Sequence, residues 1–364
     1  MRLRLGRGAR RAPLALTLIL VASCGHDAAL APGTYAPGRP AGTGPAVRLT
    51  FNPGVDQGPA WLPGGTGILY TNERIDRDDL DRCLAVLPAV GGSIQREICD
   101  LVPAADDSVD AFTWSAVSGS GRLAYVRATA SLALGSPTSP DAQQLVVALW
   151  SQPDGARVLT AIPYTAPSGR VHLGVAQVHW LGDTSLVYVG QRVVYSRPCL
   201  GCPVDTLATG IEIVRLDLGG ATPRLTTLPG TDAASSVTTV GSDTVYFTLN
   251  GDPRAYRLTL STDSVAVVHD FGAGGIARDV QVAAGRLVAV VGGNVSYVND
   301  PLLGLVQRDS GGTLVLVGLA TGTETALTPP DTLYRHPALA PDGRHVVAEA
   351  VLGRTTDLYL LEVP

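Results

Sequence analysis

Two stretches of the chain decide its fold. Near the start stands Gly58-Pro-Ala-Trp-Leu-Pro-Gly-Gly-Thr-Gly-Ile-Leu-Tyr70, and near the end stands His336-Pro-Ala-Leu-Ala-Pro-Asp-Gly-Arg-His-Val-Val-Ala348. Each has a short apolar strand, a turn rich in Gly, Pro or Asp, and a second apolar strand. Such a unit, repeated at a spacing of about 40 residues or more, is typical of a radial array of small β-sheets.

Looser copies of this unit lie between these two stretches, which makes six copies in all. Each copy adds a third strand and an outer strand, and no stretch has the sustained helical period that an amphipathic helix requires. The sequence therefore predicts an all-β fold. The inner strands of the copies are predicted at residues 59–61, 111–115, 177–180, 236–240, 279–282 and 336–339.

The sixth copy lacks an outer strand, because the chain ends at Pro364 directly after its third strand. Ala46-Val-Arg-Leu-Thr50 has the composition of an outer strand but no sheet of its own. We therefore predict that residues 46–51 pair beside residues 357–362, which closes the ring and removes exposed sheet edges. The expected fold is a six-bladed β-propeller over residues 46–364, closed by an N-terminal outer strand.

The repeat resembles that of TolB-family propellers, whose pattern is D-x-x-P-x-W-S-P-D-G-x-x-I-A-F. The resemblance covers residues 46–364 and is good in the first and last copies. It is degenerate in the fourth and fifth, where Gly241-Ser-Asp and Ala283-Ala-Gly-Arg replace Ser-Pro-Asp-Gly. It implies a WD40-like propeller that binds a protein or peptide. Propellers of prolyl oligopeptidase-like enzymes share the repeat but carry a separate hydrolase domain, for which no length remains here.

The N-terminus has the features of a targeting segment. Residues 1–11 carry five arginines, and residues 14–22 form an apolar run that is too short to span a bilayer. The run ends in Val21-Ala-Ser-Cys24, which resembles the lipobox of bacterial lipoproteins. A plain secretory signal with a chance cysteine is the alternative interpretation.

We predict a lipoprotein signal peptide over residues 1–23, acyl chains such as palmitate on Cys24, and a flexible tether over residues 24–45. Several acyl chains give a stable membrane anchor, whereas one chain binds only marginally. By resemblance to lipoprotein sorting, Gly25 after the cysteine favours the outer membrane. The protein is therefore expected in the cell envelope, anchored by lipid outside the cytoplasm.

Composition excludes some function classes. The net charge is −5, whereas a nucleic-acid-binding protein carries a basic stripe. The chain has no G-x-S-x-G nucleophile elbow, and its two G-x-G-x-x-A patterns, at residues 119–124 and 272–277, are interpreted as turns. We expect a monomer with no catalytic residue, no cofactor, no resident metal and no nucleic-acid partner.

The cysteines predict disulfides. Cys83 and Cys99 flank a hairpin centred near Gly91, which places them at facing positions within reach of a disulfide. Cys199 and Cys202 form a C-x-x-C pair in a long loop of the third copy. A structural disulfide is the favoured reading of this pair, with a zinc site and a redox dithiol left open.

Polar residues come just before or at the start of the inner strands of all six copies. In a propeller these positions converge on the mouth of the central channel, where a ligand or partner peptide can bind. The predicted ligand-binding residues are Asp56, Gln57, Asp110, Gln177, Ser236, Arg278, Asp279, Arg335 and His336. The alternative interpretation is that they hydrate the channel and satisfy strand ends.

The leading functional hypothesis is a non-enzymatic binding or scaffolding module that engages an envelope protein or peptide. The second is a propeller hydrolase or lactonase that uses a cation held by Asp56, Asp110 and Asp279. A carbohydrate binder is weaker, because Tyr334 is the one aromatic residue at the predicted mouth. The acidic loop at residues 76–81 is expected to be solvated, with an adventitious cation site as the alternative.

The tryptophans and one histidine have structural interpretations. Trp61, Trp114 and Trp180 are expected to share one position of the repeat and to pack between blades. His179, beside Trp180, is expected to be a packed core residue.

Overall fold

The computed structural model describes residues 46–51, 54–73, 82–99, 108–131, 142–163, 169–196, 205–219, 224–300, 304–330, 333–352 and 355–364. The predicted signal peptide and tether, Cys24, the loop at residues 76–81 and the Cys199/Cys202 pair lie outside these residues.

The described regular structure is β, apart from a short 3-10 turn at Pro63–Gly65. Within these ranges, no helix has the length and apolar character needed to cross a membrane. The strands form one eight-stranded sheet, four four-stranded sheets and one two-stranded hairpin.

The eight-stranded sheet (sheet 1) has two halves. The first contains β2 (Asp56–Trp61), β3 (Gly67–Glu73), β4 (Arg82–Pro88) and β5 (Arg96–Ile98), and the second contains β6 (Ser108–Val117), β7 (Arg122–Ser131), β8 (Ala142–Leu149) and β9 (Gln152–Pro163). A single parallel residue pair, Arg82 with Ala111, joins the halves.

The next two sheets follow the chain directly. Sheet 2 contains β10 (Gly169–Leu181), β11 (Ser185–Ser196), β12 (Asp205–Asp217) and β13 (Arg224–Thr227); sheet 3 contains β14 (Ala234–Val240), β15 (Thr244–Leu249), β16 (Arg254–Thr259) and β17 (Ser264–Asp270).

The last two sheets depart from this simple order. Sheet 4 contains β18 (Ala277–Ala283), β19 (Arg286–Val291), β22 (Thr313–Gly318) and β23 (Glu324–Ala326), and the hairpin β20 (Val295–Asp300) and β21 (Gly304–Asp309) is inserted after β19. Sheet 5 contains β24 (Tyr334–Leu339), β25 (His345–Leu352), β26 (Thr355–Glu362) and β1 (Val47–Arg48).

The predicted closure by the N-terminal strand is confirmed. Val47 pairs with Leu360 and Arg48 with Tyr359. Arg48 also forms an ion pair of 2.7 Å with the buried carboxylate of Asp357. The outer strand of the last sheet therefore comes from the beginning of the propeller.

Burial follows from the position of each strand in its sheet. The middle strand β19 is an apolar run buried along its centre, because both of its faces pack against neighbouring sheets. The outer strand β17 is largely exposed.

Hydrophobic clusters fill the spaces between neighbouring sheets. One joins the two halves of sheet 1, and the others join successive sheets in chain order, including sheet 5 with the first half of sheet 1. The inner strands β2, β6, β10, β14, β18 and β24 contact one another in the same cyclic order. This cyclic packing around a central axis is a β-propeller.

Inner strands carry a β-bulge in which two residues oppose one on the next strand. In β2, for example, Gln57 faces Thr71 and Ala60 faces Leu69. In five inner strands the first bulge residue has a positive φ, and these residues are Gly58, Trp114, Gln177, Asp279 and His336. The bulges turn these positions toward the axis.

The prediction that the three tryptophans share one position is wrong for Trp114. Trp61 and Trp180 occupy matching positions, since they donate Nε1 hydrogen bonds of 2.9 and 3.1 Å to carbonyl oxygens of the preceding inner strand. The matching residue of β6 is Val117, which pairs with Leu123. Because β6 continues three residues past Trp114, this tryptophan falls on the bulge instead.

The predicted Cys83–Cys99 disulfide is present, with Cα atoms 4.8 Å apart. Its hairpin pairs Leu84 with Ile98, so the next pair outward is the two cysteines.

Candidate functional site

The candidate site lies on the propeller axis, where the bulges of the inner strands meet. Asp279 is its centre. Its Oδ1 accepts hydrogen bonds from the side-chain amides of Gln177 (3.1 Å) and Gln307 (2.8 Å), and its Oδ2 accepts one from the backbone N–H of His336 (3.2 Å). Asp279 has a φ of 48°, a strained conformation for a residue with a side chain. Three inner strands and the inserted hairpin therefore meet at one carboxylate.

A second carboxylate, Glu349 on β25, holds the neighbouring cations. Its Oε2 lies 2.6 Å from Arg335 Nε, and its Oε1 lies 2.6 Å from His336 Nδ1. The backbone N–H of Gly58 also donates to Oε1. The Glu349 side chain is fully buried, so it binds Arg335 and His336 from the protein interior.

The inserted hairpin covers the end of the channel where the inner strands begin. Its strand β21 contacts β10, and its Tyr297 hydroxyl donates to the carbonyl oxygen of Ser235 (2.8 Å). At its base, Asp309 Oδ1 lies 2.8 Å from Arg278 Nη1, and both side chains are fully buried. The backbone N–H of Gly311 also donates to Asp309 Oδ1 (2.7 Å).

Charges in this cluster set the protonation states. Burial acts to raise the pKa of Asp279, but the charge of His336 and hydrogen bonds from Asp309 and Gln307 lower it overall. Burial and the charge of Asp279 raise the pKa of Asp309 to about 7. Two neighbouring carboxyl groups therefore share a proton near neutral pH.

Neighbouring carboxylates favour the protonated form of His336. Burial acts to lower its pKa, but the charges of Glu349 and Asp279 raise the pKa above the usual value. Burial acts to raise the pKa of Glu349, but His336 and Arg335 lower it overall. The site therefore combines both signs of charge.

Two chambers adjoin this cluster on opposite sides of the bulges. The upper chamber, next to the hairpin, is lined by residues that include Gln57, Thr113, Val306 and Arg335. The lower chamber, inside the channel, is lined by residues that include Ala60, Ala116, His179 and Gln281. Gly58, Trp114 and His336 line both chambers.

An aromatic pair separates the chambers. The rings of Trp114 and His336 meet edge to face, with centroids 5.0 Å apart. In the lower chamber, desolvation lowers the pKa of His179 to about 4, so this histidine is neutral. The His179 side chain is half-buried and lines this chamber, so it is not fully packed in the core as predicted.

Several predicted site residues come together here. Gln177, Asp279 and His336 are in the cluster, and Gln57 and Arg335 line the upper chamber. Arg278 is completely buried beneath the hairpin.

Two other predicted residues serve the framework. Ser236 Oγ accepts a hydrogen bond of 3.1 Å from the N–H of Val280 in the next inner strand. Asp56 Oδ1 accepts one of 2.9 Å from Asn72 in its own sheet. For these residues the interpretation that they satisfy strand ends is the better one. Asp110 lies in β6, and its side chain is outside the described part of the chain.

The predicted cation set of Asp56, Asp110 and Asp279 includes Asp110, whose side chain lies outside the described part of the chain. Asp279 converges with Asp309 and His336, whose potential ligand atoms lie within 4.8 Å of one another. Arg278 already places a positive charge against Asp309. Arg278 therefore supplies, at Asp309, the positive charge that a bound cation would bring.

Sequence reasoning missed four residues of the site. Glu349 interrupts the apolar run Val346-Val-Ala-Glu-Ala-Val351, which is a readable signal for a buried functional charge. Gln307 and Asp309 lie in an insertion, visible as the long spacing between the second and third strands of the fifth copy. Trp114 could have been found from its spacing to the following strand, which exceeds that of Trp61 and Trp180.

No protein-family model matches this chain, and no curated protein sequence matches it. Solved structures do resemble it. TolB from Acinetobacter baumannii aligns with 83% of this chain at 15% identity and a TM-score of 0.51. The alignment spans 65% of that TolB, so this chain matches just under two thirds of its length.

Two solved structures described as enzymes are also similar. A gluconolactonase from Xanthomonas campestris aligns with 89% of this chain and 91% of its own, at 14% identity and a TM-score of 0.53. An oligogalacturonate lyase from Vibrio parahaemolyticus aligns with 88% of this chain and 93% of its own, at 11% identity and a TM-score of 0.48. At these identities the likeness shows a β-propeller fold and no more.

Proposed function

We propose that this protein is a lipid-anchored propeller of the cell envelope that binds a protein or peptide segment at the mouth of its channel. The observation that carries this proposal is the upper chamber. It is a concave surface beside a preorganised cluster of both charge signs, with Trp114 and Val306 supplying apolar contact. Such a combination suits recognition of a peptide, which presents both polar and apolar groups.

The proposal includes six blades. The two halves of sheet 1 share one residue pair, whereas a hydrophobic cluster lies between them as between the other sheets. Counting the halves separately gives six four-stranded blades in the described chain. The domain limits, the anchor on Cys24 and the monomeric state rest on the sequence.

Site-specific photo-crosslinking tests the binding site. A photoreactive phenylalanine derivative replaces Val306 in the upper chamber, and in the control it replaces Val267, which is 49% exposed on β17. In cells, we expect Val306 to give a discrete adduct with an envelope protein that the control lacks. Absence of that adduct, or the same adduct from both positions, would contradict the proposal.

The anchor has a separate test. The mature protein should enter the detergent-rich phase of a phase-separation assay, whereas Cys24→Ala should stay in the aqueous phase. Partition of the wild-type protein into the aqueous phase would remove the anchor from the proposal but leave the binding site intact.

A second candidate is a cation-dependent hydrolase or lactonase, favoured by the convergence of Asp279, Asp309 and His336. Under this reading a divalent cation would have to displace Arg278 from Asp309. Titration with Ca²⁺, Mn²⁺ and Zn²⁺, followed by thermal unfolding and a lactone-hydrolysis assay, distinguishes the two. The hydrolase candidate would replace the binding proposal if one cation stabilises the protein saturably, the loaded protein hydrolyses a lactone, and Asp279→Asn loses both effects.

A further inference from the structure

We infer that the upper chamber binds a carboxylate, which His336 and Arg335 recognise by charge-assisted hydrogen bonds. This inference rests on the proposed function, because it names the chemical group by which the bound peptide is held. The group is an acidic side chain or a chain-terminal carboxylate.

The first observation is a ring nitrogen of His336 that has no partner. Its Nδ1 is bound to Glu349 at 2.6 Å, whereas its Nε2 is buried and has no hydrogen-bond partner among the described residues. The two nitrogens of an imidazole point in different directions, so Nε2 faces away from Glu349. The side chain is 9% exposed and lines both chambers.

A buried polar atom without a partner is costly to the folded protein, and such atoms are rare. An acceptor brought by a ligand would remove this cost. The charges of Glu349 and Asp279 favour the protonated imidazole, in which both ring nitrogens are donors, so in this form Nε2 presents an N–H that requires an acceptor. A carboxylate oxygen provides the stronger, charge-assisted bond.

The second observation is Arg335. Its Nε is engaged by Glu349 at 2.6 Å, and its side chain is 16% exposed on the wall of the upper chamber. A guanidinium has five N–H donors, so one face of Arg335 can serve Glu349 while the other meets a ligand. Arg335 and His336 are consecutive, which places two cationic donors side by side.

The net charge of the whole cluster favours a ligand that carries a single negative charge. Arg278, Arg335 and His336 are positive, Asp279 and Glu349 are negative, and Asp309 is partly protonated near neutral pH. The cluster thus has a surplus of at most one positive charge. A monoanionic carboxylate matches this surplus, whereas a phosphate dianion would add repulsion with Asp279 and Asp309.

The experiment compares matched acid and amide probes at constant ionic strength. N-acetylglycine presents a carboxylate, and N-acetylglycinamide has nearly the same shape without the charge. Binding is followed by the His336 ring resonance in protein labelled with ¹³C-histidine, assigned by its loss in His336→Gln. A second pair, acetyl-Ala-Glu-Ala-amide and acetyl-Ala-Gln-Ala-amide, tests the side-chain form of the same group.

We expect at least one acid probe to shift the His336 resonance saturably, with an affinity about tenfold or more above its amide partner. His336→Gln, followed by calorimetry, and Arg335→Gln should each weaken acid binding by a similar factor. His269→Gln should bind as the wild type does. His269 is a suitable control because it also pairs with a carboxylate, that of Glu324, but lies on outer strand β17.

Equal binding of acid and amide, no saturable binding of either, or retention of acid binding in both variants would overturn the inference. The wild-type comparison decides the question even if a variant fails to fold. A Val306 crosslink without discrimination between acid and amide would overturn the carboxylate inference and leave the proposed function standing. Discrimination between acid and amide without a Val306 crosslink would support the carboxylate site and overturn the proposed function.

Discussion

Replacing Asp309 by Asn should remove a pH dependence from the stability of this protein. Asp309 is fully buried beside Arg278 and Asp279, and burial and Asp279 raise its pKa from 3.8 to about 7. Between these pH values the folded protein keeps a proton that the unfolded chain has lost. This proton stabilises the fold at low pH, and the stabilisation declines as the pH rises toward 7.

The magnitude follows from the width of this window. A difference of one bound proton changes the free energy of unfolding by about 1.4 kcal/mol per pH unit. Over roughly two units, from pH 5 to the folded-state pKa, Asp309 should therefore make the wild type less stable by about 3 kcal/mol. The pKa of Asp279 is shifted downward, so Asp279 titrates below this range.

The assay is equilibrium unfolding in urea at pH 5, 6, 7 and 8, with the disulfide intact. The quantity of interest is the difference between wild type and Asp309→Asn at each pH, because groups remote from Asp309 titrate alike in both proteins. Asp342→Asn is the control, since Asp342 is an exposed turn residue bonded to the N–H of Arg344. If Asp309→Asn has the same pH slope as the wild type and the control, the assigned protonation of Asp309 is wrong.

Three further predictions concern the framework. Replacing Cys83 and Cys99 together by Ala should reduce the free energy of unfolding in urea by about 3 kcal/mol relative to the oxidised wild type, with the reduced wild type as the control; an unchanged midpoint relative to the oxidised wild type would contradict it. Gly293→Ala should destabilise the protein far more than Gly241→Ala. Both glycines have a positive φ, but only a Cβ at 293 would overlap a backbone carbonyl oxygen. Equal losses in the free energy of unfolding would refute the close packing at 293. Removing residues 46–51 should lower the melting temperature and increase protease sensitivity, because β26 loses its outer partner, and unchanged melting would show that closure adds no stability.

Much of the fold could be predicted because it is encoded locally. A strand, a Gly/Asp turn and a second strand lie within about a dozen residues, so each copy of the repeat is readable by itself. The missing outer strand at one end and the spare strand at the other identified the closure. The spacing of Cys83 and Cys99 around one hairpin identified the disulfide.

The site could be predicted only in outline. Repeat alignment gave Gln177, Asp279 and His336, but it misplaced Trp114 by three residues, because β6 is longer than its sequence pattern indicated. A bulge changes which residue faces the axis, and a shift within the strand changes the side chain presented to the channel.

The sequence by itself determined the all-β repeat, the closing strand and the set of polar residues near the channel. Only the tertiary structure decided which of them meet. Gln177 and Gln307 are 130 residues apart in the chain and touch, and Glu349 accepts a hydrogen bond from Gly58, which lies 291 residues away in the chain but in the neighbouring sheet. Such contacts depend on how whole sheets and the inserted hairpin pack together, and no short-range sequence pattern encodes that packing. The local sequence determines the backbone conformation, whereas long-range packing determines where side chains converge.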